Sequence, residues 1–241
     1  MIINILINFL TNFLIEIFRK EIGYIIAEIE IKKEDINKNI RIINSFEQYK
    51  RENDRKERDD DYKYENENEI KNNCQIKINN KIIKFNYFYK FNEEGKYEIK
   101  YSFKNKIKKS VCMFLGCKSL SSIDLSNFNT DKLENMNAMF SGCEKLNKIN
   151  LNNFNTKNVT NMGRLFYGCK SLSSIDLSNF NTQNLNIMYK MFYECEKLKN
   201  INVNNFNTQN VTNMNSLFYG CKSLKKSNII THDLNILKYK I

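Results

Sequence analysis

The sequence predicts an α/β solenoid, a short array of stacked rungs preceded by a small antiparallel β module and an N-terminal helix. Three observations carry that expectation. Residues 113–221 repeat one pattern every 26 residues, and a fixed period of that length marks a stacked array. Within each repeat the apolar spacing changes from alternate residues to steps of three and four, as when a strand gives way to a helix. Upstream, residues 24–31 and 75–104 alternate apolar and polar residues, the period of a half-buried strand.

Composition sets the outer bounds. With 41% hydrophobic residues in 241 the chain can bury a core, which excludes wholesale disorder. Net charge is +11, and residues 113–241 carry 15 basic against 8 acidic side chains. Such a balance favours anionic partners without specificity, or simply keeps the surface soluble. No nucleic-acid motif or spacing appears, so nucleic acid is not an expected partner. Five of the seven cysteines, Cys117, Cys143, Cys169, Cys195 and Cys221, recur once per rung. That spacing marks one structural position, filled by a small apolar thiol, rather than a zinc framework. Rung-to-rung disulfides are the alternative.

Taken in order, residues 1–22 read as an amphipathic helix, with Asn4, Asn8, Thr11, Asn12 and Glu16 drawing a polar stripe down an apolar run. A membrane anchor, a degenerate export signal or a mis-assigned gene start are the alternatives, and membrane contact through residues 1–20 stays open. Residues 24–108 form the β module. Its expected pieces are a strand over 24–31 paired with one over 40–43, then a three-stranded meander turning at Asn79–Asn80 and at Gly95. Within it, residues 45–73 hold a charged insertion, which reads as solvated and unable to bury a core face. The module's expected task is to cover the first rung, because stacked repeats need a cap at each end. Rungs start at 113, 139, 165, 191 and 217, and the array runs over 113–224. Residues 225–241 close it as a C-terminal cap or tail.

Met139–Arg164 serves as the type rung. Leu146-x-x-Ile149-x-Leu151 predicts a short strand, Phe154 a bend, and Val159, Met162, Leu165 and Cys169 a short helix. Thr156 is placed as the helix N-cap and Gly168 as the closing turn. The recurring motif L-x-x-I-x-L-x-x-F-x-T-x-x-V-x-x-M-x-x-M-F-x-x-C-x-x-L resembles the BspA-like class of leucine-rich repeats, the 26-residue repeat of bacterial surface proteins that is also abundant in protists. The resemblance covers about 113–224. It departs from that class in lacking the proline after the strand, in placing Phe128, Phe154, Phe180 and Phe206 where ordinary leucine-rich repeats carry Asn, and in putting Glu194 where a turn glycine belongs. The resemblance implies adhesion, or binding to host, matrix or other proteins.

The candidate partner-binding surface is the outward strand face. Its middle column is Asp124, Asn150, Asp176 and Asn202. The flanking columns are Ser122, Lys148, Ser174 and Asn200, and Ser126, Asn152, Ser178 and Asn204. The face is polar and lacks the aromatic and arginine anchors that dominate most interfaces. Residues 116–130 recur unchanged at 168–182, so the array is a duplicated pair of rungs, and duplication explains the Asp/Asn alternation as well as design does. Asn158 and Asn210 sit in N-V-T sequons, which carry glycan only in a secreted protein.

Catalytic sets are missing. His232 is the single histidine and lies beyond the rungs, and no glycine-rich, metal-binding or nucleophile motif appears. The expectation is a non-enzymatic, cytoplasmic and monomeric protein-interaction module with no cofactor and no metal. The alternatives are a secreted or surface adhesin of the BspA-like type, and a non-specific polyanion or membrane-surface binder.

Overall fold

The computed structural model describes residues 21–56 and 59–239; the helix expected over 1–22 falls outside them apart from Glu21 and Ile22, which are not helical. The described chain is mostly strand and turn with few helices, and its sheets are open. β1 (Gly23–Ile31) lies at the centre of a six-stranded sheet with β3 (Cys74–Ile78), β4 (Lys81–Ile83), β6 (Gly95–Phe103), β7 (Leu120–Asp124) and β8 (Lys148–Asn150), in the order β4-β3-β6-β1-β7-β8. The alternation read in the sequence buries Ile25, Ala27, Ile29 and Ile31 on one face of β1. One edge of β1 pairs antiparallel with β6 along its whole length; the other pairs antiparallel with β7, Ala27 opposite Ile123.

Two pairings differ from expectation. β2 (Asn39–Arg41) does not pair with β1, because both edges of β1 are already taken. It pairs instead with β5 (Phe88–Lys90), Ile40 opposite Tyr89. The expected long strand over 83–91 is therefore divided. β4 stays in the hairpin with β3, turned by Asn79 and Asn80 at φ 45° and 66°, and β5 leaves for the second ribbon. Ile83, Phe85, Tyr87, Tyr89 and Phe91 still pack on the core from both pieces.

The charged insertion also departs from expectation, for it has a buried side. Ser45 caps α1 (Phe46–Glu52) by accepting the Gln48 N–H at 3.1 Å, and α2 (Glu67–Lys71) follows after a short 3-10 turn. Phe46, Asp61, Asn66 and Ile70 are buried. The insertion lacks aliphatic residues over 45–69, so Phe46, Tyr49 and Tyr64 supply the apolar contact, against Val111, Cys112, Ala138 and Leu115. The Asp61 carboxylate is held by Lys50 at 2.8 Å and Arg55 at 3.2 Å.

From residue 109 the chain stacks rung on rung. β7 and β8 pair in parallel, as do β9 (Ser174–Asp176), β10 (Asn200–Asn202) and β11 (Ile229–Ile230) in a separate three-stranded sheet. A second column of parallel bridges runs Lys109–Asn135–Asn161–Ile187–Asn213. The short helix expected in each rung is absent. Each rung instead carries two left-handed residues four apart: Cys112 and Gly116, Ala138 and Gly142, Arg164 and Gly168, Lys190 and Glu194, Ser216 and Gly220. Positive φ cannot continue an α-helix. Alternate N–H groups turn back on their own rung, as Tyr167 does to the Arg164 carbonyl at 3.1 Å. The others cross to the next rung, as Arg164 does to Tyr189 and Phe166 to Met191. Steps of three and four thus arise from a run of turns. Thr156 is buried and caps no helix; its hydroxyl accepts the Asn181 N–H and donates to the Asn181 carbonyl.

The core is layered in register. Phe114, Phe140, Phe166, Phe192 and Phe218 stack with centroids 5.6–5.7 Å apart and planes within 16° of parallel. All seven cysteines are buried free thiols. Each phenylalanine carbonyl from Phe114 to Phe192 accepts its own rung's cysteine N–H and the next rung's cysteine S–H, the latter at 3.0–3.2 Å. The first layer is closed from above. Its outward carbonyls at Lys109 and Val111 accept from Asn66 Nδ2, and those at Met113 and Leu115 from the Asn44 N–H and Nδ2.

Four outcomes follow from this packing. Burial pushes the Cys112, Cys117 and Cys221 thiols up to about 12, and Cys143 and Cys195 well upward. Native protein should therefore resist thiol-directed alkylation at pH 8, with all seven sites labelling in denaturant. Because folded thiols titrate above the unfolded value of about 8.5, their contribution is complete below that pH and is lost as pH rises toward 12. A chemical-denaturation midpoint that falls between pH 8.5 and 11 checks this. Glu194→Gly, which relieves a left-handed glutamate, should raise stability by about 1 kcal/mol in thermal unfolding. Asn66→Asp turns an oxygen toward two buried carbonyls and should cost about 3 kcal/mol, whereas Asn68→Asp on the exposed side of α2 should be near neutral.

Candidate binding surfaces

The structure divides the predicted strand face into two. Ser122 lies opposite Lys148 and Asp124 opposite Asn150; Ser174 lies opposite Asn200 and Asp176 opposite Asn202. No ladder joins β8 to β9, so these form two separate groups of four. The middle column is also engaged. Asp124, Asn150, Asp176 and Asn202 each accept the backbone N–H two residues on, from Ser126, Asn152, Ser178 and Asn204, at 2.8–3.2 Å. This is an Asx turn that ends the strand, which Asp and Asn close well and Ser or Thr more weakly. Hydrogen bonds from Ser178, through its side chain and then its N–H, hold the Asp176 carboxyl below the usual range. At Asp124 burial pushes the other way and is outweighed by Ser126, Asn150 and the charge of Lys148. The Asp/Asn identity of this column thus has a sufficient local cause. The cysteine ladder lies wholly in the core. Asn158 and Asn210 are exposed, yet their Nδ2 groups donate to the Asp131 and Gln183 carbonyls one rung away.

A second surface, missed in the sequence, is the groove of about 730 Å³ between the insertion and the turn edge of the rungs. Cys112 and Ala138 lie along it, Tyr49 and Tyr64 form one wall, and Arg164, Tyr167, Tyr189 and Lys190 form the other. Two departures from the repeat shape it. A Cβ on Gly163 would come within 2.5 Å of Tyr189 Cε1, so the glycine is the notch into which the Tyr189 ring folds. Arg164, the single arginine of the rungs, lies with its guanidinium 5.2 Å from the centre of that ring. Across the groove Tyr64 packs on Phe46 with centroids 5.4 Å apart, and its phenol is pushed up by burial, then by Tyr189 and Asp60. Neither Arg164 nor Lys190 pairs with a carboxylate among the described residues. The traces in sequence were the lone arginine and the tyrosines at 167, 193 and 219, one per rung; the insertion that completes the groove left no such trace.

The groove has aromatic faces, cations and an apolar strip, and its one thiol, Cys112, is held protonated by burial and is a poor nucleophile. Among the described residues no cluster of His, Cys, Asp and Glu is placed to hold a metal ion, and no helix is long and apolar enough to cross a membrane.

No curated protein and no solved structure matches the chain. One family model does, described as a Mycoplasma protein of unknown function, DUF285, over residues 108–232. That span opens beside Lys109, where the column of parallel bridges begins, and takes in every rung. The match covers more than half of the sequence and coincides with its stacked part, so the chain belongs to the DUF285 family.

Proposed function

We propose that this chain is a non-enzymatic protein-interaction module, a capped leucine-rich-repeat solenoid of the BspA-like type, which holds an acidic segment of a partner protein in the groove between its insertion and its turn edge. The observation that carries the reading is Arg164 and Lys190. Both stand over tyrosine rings on an edge of continuous backbone pairing, and neither has a carboxylate to neutralise it among the described residues. Tyr and Arg are the residue types that anchor interfaces, and a rigid platform lowers the entropy lost on docking. The strand face supports the same function less well, because its middle column already closes turns. Seven free thiols fit a reducing compartment and support an intracellular reading over a surface one. The adhesin alternative instead requires glycan on Asn158 and Asn210 in a eukaryotic secretory pathway.

Affinity capture tests the reading with three forms of the full chain. Arg164→Glu with Lys190→Glu should lose a partner that wild type retains, by at least about tenfold for two charge reversals at an interface. Asn152→Lys with Ser174→Lys and Asn200→Lys, on the strand face, should retain it. The reverse pattern would move the site to the strand face, and retention by both variants would end the groove reading.

A further inference from the structure

The two ends of the rung stack are not equivalent. In every layer but the last, four alternate N–H groups of the turn column are used. Ser110, Cys112, Phe114 and Gly116 donate to the second layer, Met136, Ala138, Phe140 and Gly142 to the third, and so on to Met188, Lys190, Phe192 and Glu194, at 2.7–3.0 Å throughout. The corresponding groups of the last layer, on Met214, Ser216, Phe218 and Gly220, have no acceptor among the described residues. The tail does not cover them. It stacks on the strand column through β11, and on the threonine column through Asp233, whose carboxylate takes both the N–H and the hydroxyl of Thr208 at 2.7 and 2.6 Å. The turn column between these contacts is left open.

Side chains mark the same end. Tyr167, Tyr193 and Tyr219 stack at 4.9 and 5.0 Å, and the ladder stops at Tyr219, which is 59% exposed. Of the four large apolar residues most exposed among those described, Tyr219, Ile230 and Leu234 lie on this end.

We infer that the C-terminal end of the turn column is a docking edge for one uncapped rung of this same 26-residue repeat, presented by a different chain. An unpaired row of N–H groups is a template for further backbone. An ordinary strand does not match it, because Ser216 and Gly220 are left-handed, at φ 57° and 78°, and bend the row. A segment with the same two bends offers carbonyls at the matching places and a tyrosine for the open face of Tyr219. A second copy of this chain cannot serve head-to-tail. The face that carries its outward carbonyls, at Lys109, Val111, Met113 and Leu115, is covered by its own Asn44 and Asn66, which donate to them. The partner is therefore a repeat chain whose first layer lacks that asparagine closure.

The test uses the full chain under reducing conditions and a fluorescein-labelled 26-residue peptide copying residues 186–211, with a scrambled peptide as control. Saturable anisotropy for the copy alone is expected, together with slowed hydrogen exchange at the amides of 214, 216, 218 and 220. Tyr219→Ala should weaken binding about fivefold, the worth of one aromatic pair, and Ile82→Ala on the far edge should not change it. The inference is overturned by equal binding of the scrambled peptide, by no saturable binding, or by binding that leaves the four amides unprotected. Concentration-dependent self-association of the chain in sedimentation would overturn the exclusion of a second copy.

Discussion

Backbone hydrogen bonds between layers govern this molecule. Each layer sends alternate N–H groups to the next and keeps the rest for its own turns, so the chain satisfies its polar backbone without a regular helix in the rungs. The scheme is self-consistent within the stack and fails at its ends, where one side would leave bare carbonyls and the other bare N–H groups. Burying such groups unpaired costs about as much as a lost hydrogen bond each. The N-terminal module meets this demand with two buried asparagines, each of which carries donors at the spacing of successive outward carbonyls. The cap is thus a set of donors matched to one end of the stack as well as a cover for apolar side chains.

The 26-residue period, the apolar identity of the core positions and the burial of the cysteines were legible because repetition multiplies the signal at each position. The alternation in β1, β3 and β6 was legible for the same reason as in any half-buried strand. The strand partners were not. Periodicity says which face of β1 is buried, yet both its edges look alike, and only the tertiary fold gives one to β6 and the other to β7. The rung helix was misread through an ambiguity in spacing. A run of turns with left-handed residues four apart puts apolar side chains on the core at steps of three and four, as a helix does. Ala138, Arg164, Lys190 and Ser216 conceal the pattern, since none is a residue type that announces positive φ.

The two candidate surfaces differ in the same respect. The strand face was easy to find because it is periodic, and its periodicity has a backbone cause in the turns that Asp124, Asn150, Asp176 and Asn202 close. The groove was hard to find because it is built from exceptions. Gly163 leaves a notch, Tyr189 fills it, Arg164 stands once in the array, and an insertion with few aliphatic residues brings Tyr49 and Tyr64 alongside. In a repeat, positions that share one residue type answer to the stack, and positions that break the pattern are free to answer to something else. That asymmetry is why the informative residues here are the irregular ones.

The interruption between β8 and β9 shows which column holds the layers together. It falls at the junction of the duplicated rung pair, and the strand ladder there is lost, with no bond from the Leu151 N–H to match that from Leu125 to Asn150. The turn column crosses the same junction intact, from Met136 to Asn161 and from Phe140 to Leu165, and the phenylalanine stack crosses it at 5.6 Å, as closely as at the boundaries on either side. Strand pairing is therefore dispensable at this layer boundary, which turn pairing and ring stacking span without it. The edge that carries Arg164 and Lys190 is thus the one whose backbone pairing is unbroken from layer to layer, and such pairing is what preorganises a binding surface.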